Sequence, residues 1–175
     1  MRHLLIFTLL TLTACGFHLR GSIEIPPYLK TLQLQDASPA TRIAPELERA
    51  LQDEGVTMTD DATQANAVLR LHSESFSRRV QAVDASGKAQ EYGLRYAVVF
   101  SVLGPDGTAW LSNANVSSVR DLRFDEGEVL GAGGEQEQLQ AEMRAEALRG
   151  ILRQLARVTP VTAEAEMAPA VGGSP

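Results

Sequence analysis

Cys15 is the single thiol in a chain of 175 residues, and its surroundings decide what the sulfur can do. Leu12, Thr13 and Ala14 precede it, behind a short basic start (Met1, Arg2, His3) and an apolar or threonine run over residues 4–12. That run is too short for a membrane-spanning helix, which needs roughly 20 apolar residues, and reads as an export signal covering residues 1–14. A lone cysteine excludes an internal disulfide or a cysteine-rich zinc site. Its remaining uses are a small buried hydrophobe or an acceptor for covalent modification, and no packed core lies this close to an export signal. A second group is basic. Two successive hairpins bring Arg78, Arg79, Lys88, Arg120 and Arg123 to one end of a sheet, where guanidinium and ammonium groups suit phosphate. Asp84, Glu91, Asp121 and Asp125 share that end, so a solvated strand end is the competing reading.

Other reactive residue types form no constellation. His18 falls in a tether and His72 in an alternating strand, with no HExxH or GxSxG pattern and no base spaced for a nucleophile. The pairs Asp60 with Asp61 and Asp125 with Glu126 sit at loop positions and read as solvated charge. The glycines of residues 131–134 lack the lysine of a phosphate loop and read as a connector. No catalytic residue, metal or cofactor is expected.

The elements that position these groups follow from periodicity. Residues 30–35 alternate as a short strand; Ile43, Leu47, Ala50 and Leu51 mark a helix over 41–54, stopped by Gly55. Val68, Leu69 and Leu71 open a second strand that becomes polar toward Arg79, with a turn over 84–88. Tyr92, Leu94, Tyr96, Val98, Phe100 and Val102 put one face of a third strand into a core. A tight turn over 104–107 leads to a fourth strand with Trp110, Ala114, Val116, Leu122 and Phe124 on one parity. After a glycine-rich loop over 128–134, Leu139, Met143, Ala147, Leu148, Ile151, Leu152, Leu155 and Val158 mark one face of a long helix. On that helix Glu142 and Glu146 are spaced to pair with Arg149 and Arg153.

The order β-α-β-β-β-α predicts an α+β, two-layer sandwich: a four-stranded mixed sheet with two helices packed on one face. The other face carries His72, Glu74 or their odd-numbered neighbours and is open to a partner. One domain is expected over 30–158, after a tether over 15–29 and before a disordered tail over 159–175 whose Ala, Gly, Pro, Thr and Glu show no periodicity. Lys and Arg total 16 against 22 Asp and Glu, a net charge of -6, with no concentrated basic face of the size nucleic acid requires.

Leu12 to Cys15 resembles the bacterial lipobox, in which the thiol carries a diacylglycerol and becomes the mature N-terminus. Gly16 rather than Asp at the next position resembles the sorting signal for the outer membrane. The run Cys15, Gly16, Phe17, His18, Leu19, Arg20, Gly21 resembles the Cys-Gly-aromatic-His-Leu-Arg start of the LPS-assembly lipoprotein family LptE. Gly87, the Glu91 and Tyr92 pair, the proline-containing turn, and Glu135 and Gln136 leading to Met143 extend the likeness along the chain. The resemblance implies a plug and assembly partner inside the lumen of the LptD β-barrel, assisting lipopolysaccharide delivery to the outer leaflet without catalysis. The positions matching the family's basic lipopolysaccharide contacts are Ala85 and Ala132, so Arg78, Arg79, Lys88, Arg120 and Arg123 stand as substitutes. Two other readings remain: an independent envelope lipoprotein that binds or shuttles amphiphiles, which needs an internal cavity, and an envelope enzyme.

Overall fold

The computed structural model describes residues 23–36, 41–123 and 132–161. The signal, Cys15, His18, most of the tether, the loop holding Phe124, Asp125 and Glu126, and residues 162–175 lie outside the described residues.

A single 3-10 turn over Pro27–Leu29 leads into β1 (Thr31–Asp36), followed by α1 (Ile43–Asp53), β2 (Thr57–Met58), β3 (Ala67–Val83), β4 (Ala89–Leu103), β5 (Ala109–Arg123) and α2 (Ala132–Leu155). The sheet order is β2-β1-β3-β4-β5. β1 runs parallel to both neighbours, whereas β3, β4 and β5 form an antiparallel meander. The sheet therefore has five strands, one more than the sequence pattern predicts. The addition, β2, is two residues long, too short to show a period, and pairs Thr31 with Thr57 and Leu32 with Met58.

Both helices cover one face. Leu32, Leu69, Leu71, Leu94, Tyr96, Val98, Phe100 and Val102 point from the sheet into one cluster with Ile43, Leu47 and Leu51 of α1 and Met143, Ala147, Ile151 and Leu155 of α2. Each of these is fully buried, so burial of β4's even-numbered face drives the assembly of the layers. Ile25 and Leu29, which fall in the predicted tether, are 2% and 0% exposed. They close the sheet end beside Tyr28, whose ring meets Trp110 edge-on at 5.9 Å and whose hydroxyl donates to the Val158 carbonyl.

The two meander hairpins use one device. Asp84 N donates to Lys88 O and Gly87 N to Asp84 O, and the same pair of bonds recurs from Gly104 to Thr108 and from Gly107 to Gly104. Gly87 and Gly107 hold φ of 83° and 81°, a left-handed conformation that closes the turn without a Cβ penalty. At the far end, α2 starts at Ala132, so residues 132–134 belong to the helix and not to the predicted connector. Glycine's poor helix propensity is tolerated in a first turn, where Glu135 complements the helix dipole.

Candidate functional site

One irregularity decides which groups reach which face. Leu71 pairs with Phe100 but Ser73 pairs with Val99, so a bulge at His72 reverses the parity of β3. Before it, odd residues face the helices; after it, Glu74, Phe76 and Arg78 do. Neither expected set, His72 and Glu74 or their odd-numbered neighbours, holds the open face whole: the bulge turns Glu74 to the helix side and puts Ser73 on the open one. His72 stays on the open side, its Nε2 2.7 Å from Ser101 Oγ, which also accepts from Asn113 N at 3.0 Å.

Glu74 joins four elements. Its Oε2 accepts from the backbone N–H of Arg42 and, at 3.0 Å, from Ile43, capping α1 where Arg42 provides no side-chain cap. Its Oε1 accepts from the Tyr96 hydroxyl at 2.6 Å and lies 3.9 Å from Arg144 Nε of α2. Burial, then the bond to Glu74 and its charge, pushes the Tyr96 phenol far above its ordinary range, so it remains a donor at physiological pH. Arg144 also reaches Glu46 of α1 at 3.1 Å. This network is structural: it locks both helices to the sheet.

The open face is polar and small. Ser73, Ser75, Ser77 and Arg79 alternate along β3, Arg95, Ala97, Val99 and Ser101 along β4, and Asn115, Ser117, Val119 and Asp121 along β5. Toward the hairpin end, Ser77, Arg79, Gln81, Arg95 and Val119 line a groove of about 460 Å³. Gln81 lies over Gly93 and donates to Asp121 Oδ1 at 2.9 Å.

The five basic residues are placed at that end but on different surfaces. Arg78, Leu94 and Arg120 form one cross-strand row on the helix side; Arg79, Gly93 and Asp121 form the adjacent row on the open side. Arg78 stacks 4.5 Å over the Tyr92 ring and donates to Gln136 Oε1 at 2.9 Å. Arg120 donates to Glu146 Oε2 at 2.7 Å, and the Ser118 hydroxyl donates to the same oxygen at 2.7 Å. The Ser118 bond, then Arg120, holds the Glu146 carboxyl below its ordinary range. The predicted pairing of Glu142 and Glu146 within α2 is therefore corrected: Glu146 turns to β5, and Glu142 accepts from Gln138. Arg123 lies 3.8 Å from Glu91, and Lys88 sits at the hairpin tip, two positions beyond Ser86. Ala85 lies in the same tip and Ala132 opens α2. Arg79 is left without an ion pair among the described residues, and Arg95, absent from the five expected basic residues, lines the groove with it. Its odd parity on β4, opposite Ser77, was the available signal.

Among the described residues no cluster of His, Cys, Asp or Glu could hold a metal ion, and no helix is long and apolar enough to cross a membrane. Among the described residues the sheet is covered by two helices on one face and is bare and serine-rich on the other, a two-layer α+β domain. Solved lipoproteins share it. Lipoprotein B of Nitrosomonas europaea matches with a TM-score of 0.70 at 24% identity, covering 81% of this chain and 90% of that one. Rare lipoprotein B of Shewanella oneidensis matches with a TM-score of 0.64 at 28% identity, covering 73% and 94%. The family model of LptE, lipopolysaccharide-assembly, matches residues 29–155. The LPS-assembly lipoproteins LptE of Photorhabdus laumondii and Pectobacterium atrosepticum are 33% and 31% identical, over 90% and 89% of this chain and 88% and 86% of theirs. The chain belongs to the LptE lipopolysaccharide-assembly family.

Proposed function

We propose that this chain is an outer-membrane lipoprotein, acylated at Cys15, whose domain seats inside the lumen of an LptD-like β-barrel and assists lipopolysaccharide delivery to the outer leaflet. Family membership supports the assembly role. The observation that carries the plug reading is the polar sheet face, bare among the described residues and bounded by the 15-residue strand β5, whose outer backbone is unpaired among them and invites a partner. A barrel lumen offers a wall of matching polarity over an interface of the obligate class, upwards of roughly 2,000 Å². The described core is filled by fully buried side chains, which suits a plug better than a shuttle.

Purification of the tagged protein in mild detergent tests this. The barrel is expected to accompany the wild type, and Ser75→Arg with Ser117→Arg on the bare face is expected to reduce the recovered barrel about tenfold or more. A monomer recovered from membranes that contain the intact barrel would sink the plug reading and leave independent amphiphile binding in its place.

The basic end is the proposed lipopolysaccharide contact, centred on Arg79 and Lys88, with Arg78, Arg120 and Arg123 behind them. Reversing both charges, Arg79→Glu with Lys88→Glu, is expected to weaken lipopolysaccharide binding about tenfold and to flatten its salt dependence. Titration of the double variant checks this, and unchanged affinity moves the contact elsewhere.

A further inference from the structure

The groove at the hairpin end of the bare face is built around a missing side chain. Arg79, Gly93 and Asp121 share one cross-strand row, and Ser77, Arg95 and Val119 share the next, so Arg79 and Arg95 are diagonal neighbours beside Gly93. Such neighbours stand about 7 to 8 Å apart, a gap that two arginine side chains can close. Gly93 does not hold a positive φ, so room and not backbone freedom calls for glycine there. A Cβ at Gly93 would lie 2.1 Å from Gln81 Nε2. Through that space Gln81 crosses the sheet and donates to Asp121 Oδ1 at 2.9 Å. A neutral amide therefore holds the carboxylate in Arg79's row, and neither Arg79 nor Arg95 has an ion pair among the described residues. The groove of about 460 Å³ is lined by both arginines and by no carboxylate. Val80 and Val119 line it too and are 54% and 53% exposed.

We propose that Arg79 and Arg95 together grip one phosphate of lipopolysaccharide in this groove, and that Gln81 is a positioning residue that keeps Asp121 from closing on Arg79. The assignment rests on the lipopolysaccharide contact proposed above and moves its centre from the hairpin tip to the open face. Charge favours that occupant. A phosphate monoester carries close to two negative charges and three acceptor oxygens, enough for two guanidiniums, whereas a single fork saturates a carboxylate. The two exposed valines give an acyl-bearing phosphate an apolar contact for which a free ion has no use. Ala85 and Ala132, where the family resemblance implies basic contacts, carry no charge, and this pair supplies it. Asp121 stands two strand spacings from Arg79, about 10 Å, with only the bare Gly93 between them. Once Gln81 is withdrawn, an ion pair across that gap would cancel half the charge of the site.

The test titrates purified lipopolysaccharide, and the same material after enzymatic removal of its phosphates, into the full-length lipoprotein in mild detergent. Arg95→Gln is expected to weaken binding of the phosphorylated form about tenfold and to leave the dephosphorylated form unchanged. Its thermal melt should match the wild type, since the side chain is exposed. Gln81→Ala is expected to weaken binding about threefold, and adding Asp121→Asn should restore it, a rescue that a purely structural role would not give. If the wild type binds and Arg95→Gln binds as tightly, or loses both forms equally, the groove assignment is overturned while the contact at Arg79 and Lys88 stands. A wild type that binds neither form overturns both. Gln81→Ala with wild-type affinity overturns the positioning role. Two further arms identify other occupants. Displacement of lipopolysaccharide by millimolar inorganic phosphate assigns the groove to a free anion. Unchanged lipopolysaccharide affinity in Arg95→Gln, with less barrel recovered, assigns it to an acidic segment of the barrel. Either result overturns the proposal.

Discussion

Replacing Glu74 by alanine is expected to destabilise the domain by about 3 kcal/mol, in the range for removing one member of a buried charged network. For a domain of this size that lowers the midpoint of thermal unfolding by roughly 6 to 12 °C. Three losses combine. The N–H groups of Arg42 and Ile43 lose their acceptor at the start of α1, the Tyr96 hydroxyl loses its partner, and Arg144 loses a neighbouring negative charge. Glu74→Gln keeps one acceptor oxygen for α1 and presents its amide N–H to the Tyr96 hydroxyl oxygen but removes the charge, so about half the effect should remain. Circular dichroism melts of a chain beginning after Cys15 check both variants. Equal midpoints for wild type and Glu74→Ala would show that the helix layer is held by apolar burial alone.

That network also shows where the sequence stops being legible. The alternation from Tyr92 to Val102 identified the buried face of β4, and Leu94, Tyr96, Val98, Phe100 and Val102 are each fully buried. The spacings in 43–51 and 139–158 likewise identified the helix faces, because a periodic apolar stripe is a local signal. Glu74 is the opposite case. Its side is set by one extra residue at His72, and a bulge leaves no mark on composition. Its partners lie 22 and 31 residues away on β4 and α1. Glu146 fails for a related reason: an (i, i+3) arginine was available on its own helix, yet Arg120 and Ser118 on β5 offered two donors to one oxygen.

The basic residues divide in the same way. Pairing β3 with β4 and β4 with β5 was enough to bring Arg78, Arg79, Arg120 and Arg123 to one end, because hairpin register follows from turn position. Which face Arg78 and Arg79 took depended on the bulge.

Replacing Cys15 by alanine is expected to move the protein from the membrane to the soluble fraction almost completely. Each buried methylene of an acyl chain contributes about 0.8 kcal/mol, and one chain binds only reversibly, so the two or three chains of a lipoprotein hold it almost permanently. Among the described residues no helix is long and apolar enough to cross a membrane. The fold should survive. Among the described residues the first fully buried side chain is Ile25, ten positions beyond Cys15, and the melt of the Cys15→Ala chain should match that of the delipidated wild type. Association with the barrel should weaken without disappearing, because the anchor raises effective concentration while the sheet face supplies the contacts. Fractionation with mass spectrometry of the mature N-terminus decides the matter: an unmodified thiol at Cys15, or cleavage elsewhere, removes the anchor from the account. Barrel recovery from the Cys15→Ala chain then separates what the lipid does from what the domain does, since a plug held by its walls alone would still be found with the barrel at high expression.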